Sequence, residues 1–251
     1  MQLLWIMVFS TLGGVGALTG AALFLLFPER VRTFLVPCLI SYASGTLLGA
    51  AFLGLIPHAL EHAEAHLVLA AVLMGIILFF ALEKLVLWRH CHDEECEVHS
   101  AAAPLILVGD AFHNLTDGVV IAAAFLSSFP LGVATALAVT VHEVPQEVGD
   151  FAILLEGGYS RGRAYLYNAL SSLSTLPGAI LAYFFLSQVQ RAISYILALS
   201  AASFIYIATV DLIPSLHRRV GLAASVRQFL LMLAGVGTII LFHFHGLEIS
   251  G

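Results

Sequence analysis

The chain has 251 residues, of which 60% are hydrophobic and 10% charged, with a formal net charge of -6. Soluble domains carry about 25% charged residues, so a soluble enzyme is excluded and a polytopic membrane protein is expected. The sequence holds no basic patch and no nucleic-acid module, and its three cysteines make no disulfide framework.

Segments of about 20 apolar residues, enough to cross a bilayer, fall at about 3–27, 33–58, 67–88, 101–126, 131–155, 164–187, 192–214 and 225–245. The expected fold is all-α, a single transmembrane domain over 1–251 with eight helices. The first run is long for a signal-peptide core and reads as a retained span. Span two ends in Gly54-Leu55-Ile56-Pro57-His58, followed by Glu61, His62, Glu64 and His66. His58 and His62 are candidates for gathering cations at an outer entrance. The linker after span three, Arg89 to Ser100, reads RHCHDEECEVHS. Its His90, Cys91, His92, Cys96 and His99 are candidate metal acceptors by composition.

Span seven carries Asp211-Leu212-Ile213-Pro214-Ser215, which echoes the end of span two. The two spans cross in opposite directions if all eight alternate, the signature of an inverted repeat. Asp211 is expected to be buried near the inner end of span seven. Basic residues fix the orientation. Arg30, Arg32, Lys84, Arg89, Arg161, Arg163, Arg218, Arg219 and Arg227 fall on one side, and Arg191 falls on the other. Both termini are therefore expected outside and the 89–100 loop in the cytoplasm.

Spans four and five carry the chemistry. Span four holds Asp110, His113, Asn114 and Asp117, at i, i+3, i+4 and i+7. That spacing puts Asp110, His113 and Asp117 on one stripe. Span five holds His142 and Gln146 one turn apart, beside a second stripe of Glu143, Glu147 and Asp150. Neither span contains Lys or Arg. A charged side chain at a bilayer centre costs about 2.5–3.5 kcal/mol on insertion scales. Polar contacts between membrane helices return only about 0.6 kcal/mol each. A divalent cation between the two helices would resolve that deficit. Nitrogen and oxygen donors without thiolates suit zinc, and also iron, manganese or cadmium. Pro145 should free the Val141 carbonyl. Glycines 109, 118, 132 and 149 should let the helices approach closely.

His113-Asn114-Leu115-Thr116-Asp117-Gly118 and His142-Glu143-Val144-Pro145-Gln146-Glu147 together resemble the ZIP (Zrt/Irt-like) metal-ion transporters. The nearest likeness is the branch whose fifth span reads HEXPHEXGD. The resemblance implies a 3+2+3 inverted-repeat bundle whose middle two helices hold the metal. It also implies a primary site at His113, Asp117, His142 and Gln146. Asn114 and Glu143 would form an adjacent second site, with Asp117 bridging. Asp110, Glu147, Asp150, Asp211, His58 and His62 are pathway candidates. Gln146 departs from the His of that branch. Thr175, in Leu173 to Gly178, stands near where some bacterial members carry a Glu that completes a second site.

The function expected is inward transport of a divalent metal by alternating access. Zinc is the first substrate, Cd2+, Fe2+ and Mn2+ are alternatives, and no organic cofactor is needed. The partners are the lipid bilayer and the ion, with room left for a homodimer. The setting expected is the plasma membrane of a prokaryote. An intramembrane metalloprotease is the competing reading, because His142-Glu143 begins an HExxH-like string. Gln146 at its last position and Pro145 within it count against that. A metal sensor without transport is the third.

Overall fold

The structure, a computed structural model, describes residues 1–90, 98–189, 191–217 and 221–249. Side chains at 83, 86–90, 98–106, 156, 187, 191 and 243–249 are not among those described. The described residues form eight helical segments in the order of the predicted spans. They are α1 (Gln2–Phe24), α2 (Glu29–His62), α3 (Ala65–His90), α4 (Val98–Ser127), α5 (Phe129–Glu156), α6 (Arg161–Leu186), α7 (Ala192–Leu216) and α8 (Leu222–Ile249). Among the described residues, α1, α2, α3, α6, α7 and α8 contain runs long and apolar enough to cross a membrane. The two between them, α4 and α5, carry the polar strings.

Local sequence sets the ends and breaks. Ser128 caps α5, its hydroxyl accepting from Leu131 N at 3.3 Å with Pro130 in the first turn. Gly158, at φ 85°, ends α5. Gly158 N donates to Leu155 O and Tyr159 N to Leu154 O, at 3.0 and 3.1 Å, a left-handed C-cap. α6 breaks at Leu173-Ser174, because Pro177 has no N–H to give the Leu173 carbonyl. α2 widens into a π-helical stretch over Ala50–Leu55, just before Ile56-Pro57. α7 does the same over Ile207–Leu212, just before Ile213-Pro214. Pro145 lies inside α5 without ending it.

The outward faces are apolar: Leu69, Met74, Phe80, Leu181, Phe184 and Phe229 are exposed. The interior is built from alanines around Phe125, Leu131, Leu197 and Phe204, with carboxylates, histidine, serines and threonines among its buried polar groups. Small residues let membrane helices pack backbone to backbone. α4 packs on the second half of α6, and α2 packs on α8. In the first pair, a Cβ on Gly118 would strike the Thr175 carbonyl, and one on Gly178 would strike the Leu115 carbonyl. In the second, Gly45 faces the Met232 carbonyl and Gly235 the Tyr42 carbonyl. Of the four glycines expected at close approaches, Gly118 and Gly132 are at one, Gly132 against the Phe125 ring. A Cβ on Gly109 or Gly149 would meet nothing within 4 Å among the described residues. α5 touches α1, α2, α4 and α8, and α4 touches α1, α5, α6 and α7.

Candidate metal centre

α4 and α5 pack side by side and turn their polar stripes toward each other. Asn114, Asp117, His142, Glu143 and Glu147 are each at most 1% exposed, and Asp110 is 4% exposed. The His113 side chain is 17% exposed. His113 Nε2 lies 3.1 Å from His142 Nε2 and 3.1 Å from Glu143 Oε1. Asp117 Oδ2 lies 3.7 Å from His113 Nε2 and 3.4 Å from His142 Nε2. Glu143 Oε1 lies 3.4 Å from His142 Nε2. A tetrahedral zinc with bonds of about 2.1 Å has ligand-to-ligand edges of about 3.4 Å. The five edges here run from 3.1 to 3.7 Å. The donor set therefore fits a tetrahedral dication with little rearrangement.

Its charge also fits. Two carboxylates and two neutral imidazoles carry two negative charges, which one dication cancels. Both oxygens of Asp117 are buried and receive no hydrogen bond. Such groups are costly unless something charged compensates them. His142 Nδ1 is 3.1 Å from the Ala138 carbonyl, which can only accept. Nδ1 therefore carries the hydrogen, and in the neutral ring Nε2 presents its lone pair to the centre. The Phe204 ring from α7 stands edge-on to His142 at 6.1 Å and makes an apolar wall.

The other predicted residues are placed unevenly. Gln146 Nε2 points to Asp110 Oδ1 at 3.4 Å. Asn114 Nδ2 donates to the same oxygen at 3.0 Å, while Asn114 Oδ1 accepts from Thr175 Oγ1 at 2.9 Å. Glu147 joins Asp110 and Glu143 in a second group. Asp150 is half-buried, one turn beyond Gln146. His58 is half-buried and tied to the Gly54 carbonyl and to Ser128 Oγ, at 3.1 and 3.3 Å. His62 is exposed at the end of α2. Asp211, expected to be buried, is exposed on the widened turn of α7 with Thr209 and Val210. Apolar neighbours in sequence do not reveal which side of a π-helical turn a residue takes. The loop candidates His90, Cys91, His92, Cys96 and His99 lie outside the residues whose side chains are described.

α6 supplies partners that the motifs do not announce. Ser172 Oγ donates to Glu147 Oε1. Asn168 Nδ2 donates to the Glu147 carbonyl at 3.4 Å. Ser174 Oγ donates to the Ala111 carbonyl at 2.6 Å. Their sequence signal is faint, a cluster of small polar residues in an otherwise apolar span.

The family model described as ZIP Zinc transporter matches residues 87–243, more than half of the chain. Zinc transporter zipt-7.2 of Caenorhabditis elegans is 32% identical over 80% of this chain and 57% of its own length. Zinc transporter ZIP13 of Pongo abelii is 33% identical over 81% of this chain and 66% of its own. Zinc transporter foi of Drosophila melanogaster is 42% identical over 58% of this chain but 20% of its own. The chain thus spans less than two thirds of the length of these relatives. On the family match and these identities, the chain belongs to the ZIP zinc transporter family.

Proposed function

We propose that this chain carries divalent metal, zinc first, across a membrane into the cytoplasm by alternating access. The observation that carries the reading is the cage of His113, Asp117, His142 and Glu143, with no Lys or Arg on either helix. The relatives' printed names, all zinc transporters, favour zinc. So does the pair of imidazoles, which harder ions prefer less. Asn114, Gln146 and Asp110 then position the cage from one side. His58, His62, Asp150 and Asp211 belong to the approaches.

Eight crossings in a 3+2+3 inverted repeat are part of the proposal. Support comes from the matching π-helical stretches before Pro57 and Pro214. It also comes from the exchange of packing partners: α2 on α8 answers α7 on α3, and α4 on α6 answers α5 on α1. Alternating crossings with the basic residues inside put both termini outside. The proposed setting is the plasma membrane.

Uptake of zinc into proteoliposomes, with cadmium, iron and manganese in competition, tests the function. Saturable zinc uptake inhibited by cadmium is expected. Tight binding without flux would turn the reading to a sensor. Cleavage of a membrane substrate that Glu143→Gln abolishes, with no flux, would turn it to a protease.

A further inference from the structure

A cleft of about 340 Å³ lies between the start of α2, the end of α1 and the inner part of α5. Glu29, Arg32, Thr33 and Val36 line it from α2, Phe24 from α1 and Val148 from α5. The four α2 residues stand at i, i+3, i+4 and i+7, which is one face of the helix. Along that face the charges lie in the first turn and the apolar side chain of Val36 about 10 Å further in. Phe24 and Val148 extend the apolar wall. Charged at one end and apolar at the other, the cleft has the order of groups found in a phospholipid. Leu23, Leu26 and Phe27 beside it are exposed, an apolar rim of the kind that meets a membrane. The charged end is unsatisfied. Arg32 Nε is buried and has no hydrogen-bond partner among the described residues, which is costly for a charged group. Glu29 is its neighbour one turn away, about 5–6 Å between Cβ atoms. Yet the ion pairs among the described residues all involve histidine. Thr33 Oγ1 donates to the Glu29 carbonyl and keeps its lone pairs for another donor.

We propose that this cleft seats an ethanolamine phospholipid from the leaflet on the side assigned to the cytoplasm. The Arg32 guanidinium gives its N–H groups to the phosphate, whose oxygens match that fork. The primary ammonium, two carbons away in the headgroup, donates to the Glu29 carboxylate and the Thr33 hydroxyl. One acyl chain runs along Val36, Phe24 and Val148. Basic residues at this membrane surface ordinarily attract anionic headgroups; Glu29 changes that preference here. A phosphatidylglycerol headgroup brings the phosphate charge and nothing to balance Glu29. A choline headgroup brings a cation without N–H groups. Ethanolamine brings both a phosphate for Arg32 and a donating cation for Glu29. Val148 stands little more than a turn past Glu143, so the seated lipid packs against the helix that carries His142 and Glu143. None of these contacts depends on what the cage carries.

Native mass spectrometry of the full-length chain in detergent tests this, with dioleoyl phosphatidylethanolamine, phosphatidylglycerol and phosphatidylcholine as separate probes. An ethanolamine lipid is expected to stay bound under conditions that strip the other two. Arg32→Gln should weaken its binding about tenfold, the usual worth of a hydrogen bond to a charged group. Glu29→Gln should erase the preference for ethanolamine over glycerol. Arg30→Gln, exposed and outside the cleft, should change neither. Val36→Trp should fill the apolar wall and exclude the lipid without touching a charge. Equal retention of the three lipids by wild type, or a preference for phosphatidylglycerol, overturns the proposal. A loss in Arg30→Gln equal to that in Arg32→Gln overturns it as well, since it would mark a general effect of surface charge. So does soluble phosphoethanolamine binding as tightly as the lipid, which would remove the acyl contact. If Arg32→Gln does not fold, the headgroup selectivity of wild type and the Val36→Trp result decide.

Discussion

The Nε2 atoms of His113 and His142 face each other at 3.1 Å across the α4–α5 seam. With the hydrogen of the neutral His142 ring spent on Ala138, His142 Nε2 can only accept, and a hydrogen on His113 Nε2 has two acceptors at 3.1 Å, His142 Nε2 and Glu143 Oε1. A metal ion takes over both lone pairs. Loading the cage therefore displaces any hydrogen held on His113 Nε2 between His142 and Glu143.

Loss of any cage ligand should stop transport. His113→Ala, Asp117→Ala and His142→Ala are each expected to cut zinc uptake to below about a tenth, since even groups that only orient a ligand are worth 10–100-fold. Size-exclusion profiles and thermal unfolding should stay near wild type. Normal uptake by well-folded variants would remove the assignment.

Protons should compete with zinc. An imidazole ligand must be unprotonated to bind. More protons fill His113 and His142 as the outside is acidified, so uptake should fall with falling external pH through the histidine range. Initial rates at fixed free zinc measure this. A rate that climbs on acidification would instead indicate proton co-transport.

The Gly118–Thr175 contact should tolerate no side chain. Gly118→Val is expected to push α4 off α6 and cost about 1–3 kcal/mol, the usual range for overpacking. Unfolding in detergent would read it, and uptake should fall with it. Gly149→Ala, where a Cβ meets nothing within 4 Å, is the matched control and should stay near wild type.

Thr175 should act through Asn114. Thr175→Val removes a buried hydrogen bond and leaves the Asn114 carbonyl without that donor, a loss of about 1–3 kcal/mol. Zinc uptake should weaken severalfold, while Thr175→Ser should restore it. Equal uptake by both variants would mean that Asn114 needs no support.

Replacing His90, Cys91, His92, Cys96 and His99 with Ser should leave uptake largely intact, because none lies within α4 or α5 near the cage. Calorimetry on a peptide spanning 89–100 should detect zinc binding, and the Ser version should not. Complete loss of uptake would place the loop in the path itself.

Hydropathy made the eight helices legible, since a membrane segment must satisfy its own backbone and turn apolar side chains outward. His113, Asp117, His142 and Glu143 stood out as candidates because imidazoles and acids lie where lipid would otherwise exclude them, but the resemblance made Gln146 the fourth member of the primary site and left Glu143 to the second. The role of Gln146 was not legible. Spacing puts it one turn from His142, but its amide turns to Asp110. Asn168 and Ser172 were not legible either, because their partners lie more than 20 residues away on α5. Asp211 was misplaced for the opposite reason: the widened turn of α7 rotates it outward.

The touching backbones at Gly118 and Gly178 bear on how natural variants of such a chain would present. A substitution at either glycine alters no metal ligand, yet it separates Asn114 on α4 from Thr175 on α6. Under the proposed function, a chain with such a substitution would lose metal uptake as surely as one that lacks a cage histidine. Raising the metal supply would relieve neither, but a compound that slows unfolding would be expected to help the glycine alleles alone.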